Sequence, residues 1–284
     1  MNKVISRRQL SPNITRLDVL APRIAEIRRP GQFVIVCLTE DSERIPLTIA
    51  DSNPASGTIT LVIQAVGHST LELTALEPGA FICAVTGPLG HPTELPASGN
   101  ALCIGGGVGA AVVHPIAQGL HRRGVRVTSI IGARTREQII FEAELRQFGN
   151  LIIYTDDGSH GRRGYVTTPM PELLANNTWD VVYAVGPGLM MQAVAELTRP
   201  AKIRTIVSLN PVMIDGTGMC GGCRVSVGGE TKFACVDGPE FDGHQVDFRE
   251  LLDRLTIYHT FEESAHRAPS GHCDKKISIP NEPK

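Results

Sequence analysis

The 284-residue chain lacks a long apolar run, and it lacks an excess of charge of either sign. No stretch reaches the roughly 18 consecutive apolar residues that a membrane-spanning helix needs. The 27 basic and 29 acidic residues nearly cancel, so electrostatics does not predict a nucleic-acid partner. The residues from Met1 to Leu20 contain no continuous apolar segment of the secretory kind. We therefore expect a cytoplasmic protein without a membrane or nucleic-acid partner.

The cysteines do not form an obvious disulfide framework. Their number is odd, seven, and Cys37, Cys83 and Cys103 each stand alone in an apolar stretch. We expect these three to be reduced, buried thiols that pack as small apolar side chains. A disulfide-rich fold is not expected in a chain of this length without a secretion segment.

Residues 1–95 are predicted to form an antiparallel β-barrel or sandwich. The region consists of short runs rich in Val and Ile, which Pro and Gly interrupt, and this pattern is typical of β-strands. A helical pattern is present only around residues 69–76. The stretch Arg44–Thr48 is expected to lie between two strands.

Residues 96–209 are predicted to form an α/β domain with a doubly wound parallel sheet. Strand-like and helix-like segments alternate here, and residues 137–149 are one of the predicted helices. Residues 210–250 form a cysteine-containing segment. Residues 251–284, which include His272 and Cys273, are predicted to be a polar tail without a core pattern. The sequence contains no internal repeat.

Two glycine-rich turns follow predicted strands of the α/β domain. CIGGGVGAA contains Gly106, Gly107 and Gly109 before a helix, and AVGPGLMM places Gly186 and Pro187 before another helix. Such turns let the backbone approach a pyrophosphate at a helix N-terminus. The first turn is not a complete GxGxxG, and a tight packing turn is the alternative. Two such turns at one sheet edge predict a dinucleotide-binding crevice.

The residues after the third strand bear on the choice of dinucleotide. Asp156 and Asp157 can accept hydrogen bonds from a ribose 2′-hydroxyl, and their charge would repel a 2′-phosphate. These residues favour NAD(H). Arg134 and Arg162–Arg163 favour NADP(H) instead, and an ordinary solvated loop would also explain all these charges.

The cysteine-containing segment has the spacing of an iron–sulfur motif. Cys220 and Cys223 form a CxxC pair, and Cys235 follows. Zinc is disfavoured because it prefers four ligands and no second pair exists, while His272–Cys273 is distant in sequence. Plant-type [2Fe–2S] sites use C-x4-C-x2-C and a later cysteine. Here Asp215 occupies the first position of that pattern, which predicts a cluster with one carboxylate ligand.

Several motifs resemble the ferredoxin–NADP reductase superfamily. RIPLT at residues 44–48 is similar to its Arg-x-x-Ser/Thr flavin motif, and GHST at 67–70 resembles its second flavin-phosphate loop. The order of barrel, GGGVGAA and VGP is also that of the superfamily. Many relatives have Cys-Gly-Pro in the last turn, where this chain has Val185-Gly186-Pro187, and this difference concerns the positioning of the nicotinamide.

The resemblance implies two sets of cofactor-binding residues. The FAD-binding residues would be Arg44, Pro46, Leu47, Thr48, Ile63, Gln64, Gly67, Ser69 and Thr70. The residues that frame NAD(H) would be Gly106, Gly107, Gly109, Arg134, Asp156, Asp157, Gly186 and Pro187. The implied fold is an FAD-binding β-barrel, an α/β doubly wound parallel-sheet nucleotide domain, and a small C-terminal [2Fe–2S] segment.

The stretch Asp215–Phe248 resembles a narrower group, the small subunits of flavin-bifurcating NADH-dependent reduced ferredoxin:NADP oxidoreductases, also known as sulfide dehydrogenase beta subunits. In that group an aspartate is the fourth cluster ligand, which here would join Cys220, Cys223 and Cys235. In the related dihydroorotate dehydrogenase B subunits this position is a cysteine.

The resemblance implies electron transfer between NAD(H), FAD and the cluster, without an acid–base catalytic residue. It also implies a larger flavoprotein partner with [4Fe–4S] clusters, through which ferredoxin is reached. The alternatives are an electron-transfer subunit of a dihydroorotate dehydrogenase B or sulfide dehydrogenase type complex, and a non-catalytic zinc-stapled nucleotide-sensing module.

Overall fold

The structure is a computed structural model that describes residues 1–256. The elements of the first 95 residues are β1 (Asn2–Ser11), β2 (Ile14–Leu20), α1 (Pro22–Ile27), β3 (Phe33–Cys37), β4 (Arg44–Asn53), β5 (Thr58–Gln64), α2 (His68–Thr74), β6 (Phe81–Ile82) and β7 (Ala84–Leu89). The seven strands form one antiparallel sheet in the order β6-β1-β2-β5-β4-β3-β7. The sheet curls around its own apolar core, to which every long strand contributes buried residues. The predicted β-barrel is therefore confirmed.

Two details of the barrel differ from the prediction. Arg44–Thr48 does not lie between strands, because it is the first half of β4 and pairs with β3 over its whole length. Pro46 is tolerated there because β5 pairs with β4 only from Ile49 onward, so no strand needs the missing N–H of the proline. Helix α1, which begins at Pro22, is a second short helix that the apolar pattern did not indicate.

The next region is the predicted doubly wound α/β domain. Its elements are β8 (Asn100–Gly106), α3 (Gly109–Arg122), β9 (Arg126–Ala133), a 3-10 turn (Arg136–Gln138), α4 (Glu142–Arg146), β10 (Gly149–Thr155), β11 (Arg162–Arg163), α5 (Met170–Asn176), β12 (Val181–Val185), α6 (Gly188–Thr198) and β13 (Arg204–Ser208). The strands are parallel in the order β11-β10-β9-β8-β12-β13. The direction of winding reverses between β8 and β12, and ligands of such sheets bind at this reversal.

The predicted helix over residues 137–149 is wrong in most of its length. Only Glu142–Arg146 is α-helical, after a 3-10 turn at Arg136–Gln138. Between them the chain turns to bury Ile140 and Phe141, and Phe141 has a φ of +60°, which ends any continuous helix.

The C-terminal region contributes a strand to the sheet of the α/β domain, whereas the prediction made it a separate segment. Its elements are β14 (Arg224–Val227), β15 (Glu230–Phe233), β16 (Glu240–Asp242) and α7 (Phe248–Leu255). Strand β16 pairs antiparallel with β13 and extends the large sheet. The predicted tail beginning at residue 251 is wrong at its start, because α7 continues to Leu255 and buries Leu251. The rest of the predicted tail, with His272 and Cys273, lies outside the described residues.

Candidate cofactor cavity and cluster loop

A cavity of about 860 Å³ lies between the barrel and the carboxyl ends of the parallel strands. This volume is in the usual range for cofactor and ligand sites. Its walls come from β4 and β5, from the turns after β8 and β12, and from the chain after β13. Many of the predicted cofactor residues line it, namely Pro46, Leu47, Thr48, Gln64, Gly106, Gly107, Gly109, Arg134, Asp156, Gly186 and Pro187.

Some of the predicted flavin-binding residues of the barrel line the cavity, and others lie in the barrel core or on the surface. Gln64 lines the cavity, whereas the side chain of Ile63 is 1% exposed and belongs to the barrel core. Adjacent residues of a strand point to opposite faces, so the two side chains cannot serve the same site. Arg44 is exposed at the start of β4 and is not part of the cavity wall.

The residues of the predicted flavin-phosphate loop lie at the start of α2, outside the cavity wall. Ser69 Oγ donates to Glu43 Oε2 at 2.6 Å, and Thr70 Oγ1 accepts from the Gly67 N–H at 2.9 Å. These contacts close the turn on itself and hold its N–H groups in place. The flavin-binding role of Gly67, Ser69 and Thr70 stays a prediction.

The two glycine turns pack directly against each other. A Cβ added to Gly109 would lie 2.2 Å from the Val185 carbonyl oxygen, and one added to Gly186 would lie 3.2 Å from Gly106 Cα. Only glycine allows this approach. Gly107 differs, because its φ is +57° and no protein atom lies within 4 Å of an added Cβ. The turn is therefore rigid on the side of the sheet and open on the side of the cavity, where α3 presents its N-terminal N–H groups.

The structure separates the roles of the two acidic residues after β10. Asp156 lines the cavity. Asp157 does not, and its Oδ1 accepts from the Ser159 hydroxyl at 2.6 Å and the Ser159 N–H at 2.9 Å. These hydrogen bonds lower the pKa of Asp157. Asp157 therefore closes the loop, and Asp156 is the carboxylate available to a ligand. Arg134 lines the same cavity.

Several wall residues were not predicted. Tyr165, with 67% of its surface exposed, Met190 and Leu255 line the cavity, and so do Asn210 and Met213. No motif marks the first three, since their positions depend on how distant elements pack. Met213 could have been found from its place two residues before the metal-binding motif.

The cluster loop, residues 215–223, begins at a carboxylate that is already oriented. Asp215 Oδ1 accepts from the Thr217 N–H and Oδ2 from the Cys220 N–H, both at 2.8 Å. These bonds, that from Thr217 foremost, lower the pKa of Asp215. Gly216 and Gly218 have φ values of +74° and +85°, a region that favours glycine. The loop therefore keeps Asp215 ionised and next to the CxxC pair.

Two of the three predicted cysteine ligands are adjacent. Cys223 and Cys235 are buried, and their Sγ atoms are 3.2 Å apart, too far for a disulfide, whose bond is about 2.05 Å. Burial, together with the Cys223 thiol, raises the pKa of Cys235 to about 12. Cys220 is exposed, and its Sγ accepts from the Gly222 N–H at 3.5 Å.

The donor set fits an iron–sulfur cluster in chemistry. Within residues 1–256, no three His, Cys, Asp or Glu side chains already converge as a metal site. Three thiols and one carboxylate nevertheless lie on one glycine-rich loop and its neighbour, and cysteine thiolates are the usual ligands of such clusters. The site thus has a preformed sulfur pair and two further donors on the cluster loop.

The remaining described cysteines are free thiols. Cys37 and Cys103 are buried as predicted, whereas Cys83 is partly exposed, so its predicted burial is wrong. None of the helices within residues 1–256 has the length and apolar character needed to cross a bilayer.

The barrel, the doubly wound sheet and the cavity between them form a fold of the ferredoxin–NADP reductase type. A solved ferredoxin–NADP+ reductase from Plasmodium falciparum has the same fold, with a TM-score of 0.56 at 16% identity over 70% of this chain and 88% of that chain. The iron–sulfur cluster binding domain of dihydroorotate dehydrogenase B matches residues 210–247.

Two proteins are similar over nearly the whole chain. A dihydroorotate dehydrogenase B (NAD(+)) electron transfer subunit homolog from Thermotoga maritima is 42% identical over 94% of both chains. A chain in a solved NADH-dependent reduced ferredoxin–NADP oxidoreductase, from work on flavin-based electron bifurcation, has a TM-score of 0.90 at 41% identity, over 94% of this chain and 97% of that chain. The chain belongs to the family of dihydroorotate dehydrogenase B electron-transfer subunits and their homologues.

This family membership confirms three predictions: the fold class, the oxidoreductase class, and the cofactor set of FAD, [2Fe–2S] cluster and NAD(H). An electron-transfer subunit also implies a larger partner subunit.

Proposed function

We propose that this chain passes electrons between NAD(H), FAD and a [2Fe–2S] cluster, to or from a larger flavoprotein subunit, in a complex of the NADH-dependent ferredoxin:NADP oxidoreductase type. One observation carries the proposal: the cavity wall continues directly into the cluster loop. Met213 lines the cavity, and Asp215 follows two residues later, a span of at most about 7 Å.

The flavin is assigned to the barrel side of the cavity, and the dinucleotide to the side formed by the α/β domain. Thr48 and Gln64 on the barrel side would hold the flavin, and the N-terminus of α3 with its glycine turn would hold the dinucleotide phosphates. Gly186 and Pro187 would support the nicotinamide. When bound, FAD takes up electrons in pairs and releases them singly, which is what a one-electron cluster requires.

The cluster would be held by Asp215, Cys220, Cys223 and Cys235. The buried pair of sulfurs excludes water from one side, while Cys220 faces solvent. A carboxylate is a harder ligand than a thiolate, so Asp215 is expected to change the potential of the cluster relative to an all-cysteine site.

Apolar side chains around the cluster loop support a docking face for the larger subunit. Val212, Ile214, Met219 and Val236 are between 37% and 89% exposed, Met219 most of all. Exposed apolar groups of this kind are typical of protein interfaces. The proposed partner carries its own FAD and [4Fe–4S] clusters, reaches ferredoxin, and meets this chain in the cytoplasm.

Purification of the chain from its native host under anaerobic conditions tests this function. We expect flavin and iron–sulfur absorption bands, bleaching of both by NADH, and a copurifying flavoprotein with further iron. A colourless, zinc-containing protein would contradict the proposal and favour a zinc-stapled module.

The second candidate is the electron-transfer subunit of a dihydroorotate dehydrogenase B complex, or of a sulfide dehydrogenase type complex. The match of residues 210–247 to the dihydroorotate dehydrogenase B domain favours the first of these. Copurification of a dihydroorotate-oxidising partner would decide for it.

The role of Asp215 has a separate test. We expect Asp215→Cys to retain iron and to shift the potential of the cluster, because a thiolate replaces a carboxylate at a position where the loop already points a donor. Iron analysis and a redox titration measure both effects. An unchanged potential at full iron content would exclude Asp215 as a ligand.

A further inference from the structure

Helix α7 contacts both functional regions of the molecule. Leu255 lines the cavity, and Leu252 packs so closely on the second glycine turn that a Cβ added to Gly188 would lie 2.8 Å from it. On another side of the helix, Arg254 Nη2 donates to the Gly222 carbonyl oxygen at 3.1 Å. Gly222 lies inside the CxxC pair, so this arginine reaches the cluster loop directly.

The helix that carries Arg254 is fixed at its start and along its buried face. Asp247 Oδ1 accepts from the Glu250 N–H at 3.0 Å, and the Asp247 N–H donates to the Ser226 carbonyl at 2.9 Å. Phe248 and Leu251 are buried. The guanidinium is therefore held by an anchored helix, and its position relative to the loop is defined.

Both backbone groups of Gly222 are engaged. Its N–H points at Cys220 Sγ at 3.5 Å, while its carbonyl accepts from Arg254. The peptide unit that contains this carbonyl also contains the N–H of Cys223. An arginine is charged at every working pH, and a charged donor on the carbonyl polarises the peptide, which makes its N–H a better donor to negative charge.

We propose that Arg254 is a positioning residue of the cluster loop, which holds the Cys220–Cys223 turn in place and stabilises the more negative, reduced state of the cluster bound there. The inference rests on the proposed ligand set. Hydrogen bonds and charges near cluster sulfurs are known determinants of potential. Arg224 also reaches the loop, at Gly221, but its hydrogen bond is longer, 3.4 Å, and exposed.

Redox titration of the full-length, cluster-containing chain, followed by electron paramagnetic resonance, tests the proposal. We expect Arg254→Gln to make reduction about tenfold less favourable, a shift of about 59 mV to more negative potential for a one-electron couple. Arg254→Lys keeps the charge without the planar fork and should shift less. Arg249→Gln is the matched control, because it removes the same charge from an exposed position of the same helix.

Each outcome of these measurements supports or contradicts the positioning role of Arg254. An unchanged potential in Arg254→Gln with full iron content would overturn the proposal, and so would an equal shift in Arg249→Gln. Loss of iron in Arg254→Gln, with iron retained in Arg249→Gln and the flavin retained in both, would support the positioning role. Absence of iron from the unmutated, reconstituted protein would instead refute the proposed function itself.

Discussion

The two glycine turns of the α/β domain and the cluster loop are both rich in glycine, but for different physical reasons. Gly109 and Gly186 are surrounded, and a Cβ on either would meet the facing turn. Gly216 and Gly218 have a left-handed backbone, and a Cβ added to Gly216 would also lie 2.7 Å from the Leu89 side chain. The first kind of glycine holds two pieces of backbone together, and the second kind lets a loop curl around donors. The two glycine turns are thus fixed by packing against each other, whereas the cluster loop is shaped mainly by its own backbone conformation and hydrogen bonds.

The largest expected effect concerns the cluster loop. Cys223→Ser should lose the cluster, because it removes one thiolate of the buried sulfur pair, while flavin content is retained by the separate cavity. Iron analysis and the visible spectrum measure both. Cys83→Ser, a partly exposed cysteine of the barrel, is the control. Full iron content in Cys223→Ser would show that the ligand assignment is wrong.

A single added methyl group is expected to disrupt the packing of the two glycine turns against each other. Gly109→Ala would force the Val185 carbonyl away and separate the two turns, and displacements of about 1 Å near a reacting pair cost about a hundredfold in rate. We expect the rate of flavin reduction by NADH to fall by about that factor, as measured by stopped flow.

Gly124→Ala is the control for this substitution. Gly124 has a positive φ, +77°, which Gly109 does not have, and no atom lies within 4 Å of an added Cβ at Gly124. It should cost about 1 kcal/mol of stability through its backbone conformation alone, with an unchanged rate. Equal rate losses in both variants would mean that the contact between the turns is unimportant.

A smaller effect is expected for the two carboxylates after β10, of which Asp156 lines the cavity and Asp157 bonds Ser159. Asp156→Asn removes a charge from the cavity wall that would repel a 2′-phosphate, so the preference for NADH over NADPH should fall about tenfold, or about 1.4 kcal/mol. The ratio of kcat/KM for the two dinucleotides measures it. Asp157→Asn should leave this ratio unchanged, because that carboxylate is bound to Ser159. The reverse result would assign the discrimination to Asp157.

A further effect, on stability and not on activity, is expected at Glu240 in β16. Thr93 Oγ1 donates to it at 2.7 Å, and burial raises its pKa from 4.5 to about 7. The folded chain thus keeps this proton to higher pH than the unfolded chain, and stability should fall as pH rises from 4.5 to about 7.

Glu240→Gln should remove this loss, because glutamine resembles the protonated carboxyl at every pH. At pH 8.5 the variant should be more stable than the unmutated chain by about 2 kcal/mol, allowing for the partial exposure of the side chain, or about 5 °C in Tm. At pH 4.5 the two should be nearly equal. The same difference at both pH values would contradict a raised pKa.

Parts of the molecule with local sequence patterns were predictable. The strand before the second glycine turn, Val181–Val185, is buried along its whole length and reads as a continuous apolar run, which is typical of a parallel sheet covered on both faces. The turn residues Gly106 and Gly186 stand out because glycine follows such runs. Strand alternation places the side chains of Ile63 and Gln64 on opposite faces, so the burial of the Ile63 side chain in the barrel core also follows from the sequence, and its flavin-binding role stays a prediction.

Other parts depend on partners distant in sequence. Helix α7 is an exception, because the apolar residues of FRELLDRL have the i, i+3, i+4 and i+7 spacing of an amphipathic helix, so this helix could have been predicted from the sequence. Tyr165 and Met190 reach the cavity only because the barrel and the sheet meet there. The proximity of two of the cluster donors also has no local rule, since Cys235 is brought beside Cys223 by the β14–β15 hairpin.

The position of α7 has a practical consequence for shortened versions of this protein. The family domain ends at residue 247, but the helix that begins there covers Gly188 with Leu252 and binds Gly222 through Arg254. A chain ending at residue 247 would expose the side of the second glycine turn that Leu252 covers. The Gly222 carbonyl in the cluster loop would also lose its hydrogen-bond donor, Arg254. Expression of the chain through at least Leu255 is therefore necessary if the isolated subunit is to behave as it does at full length.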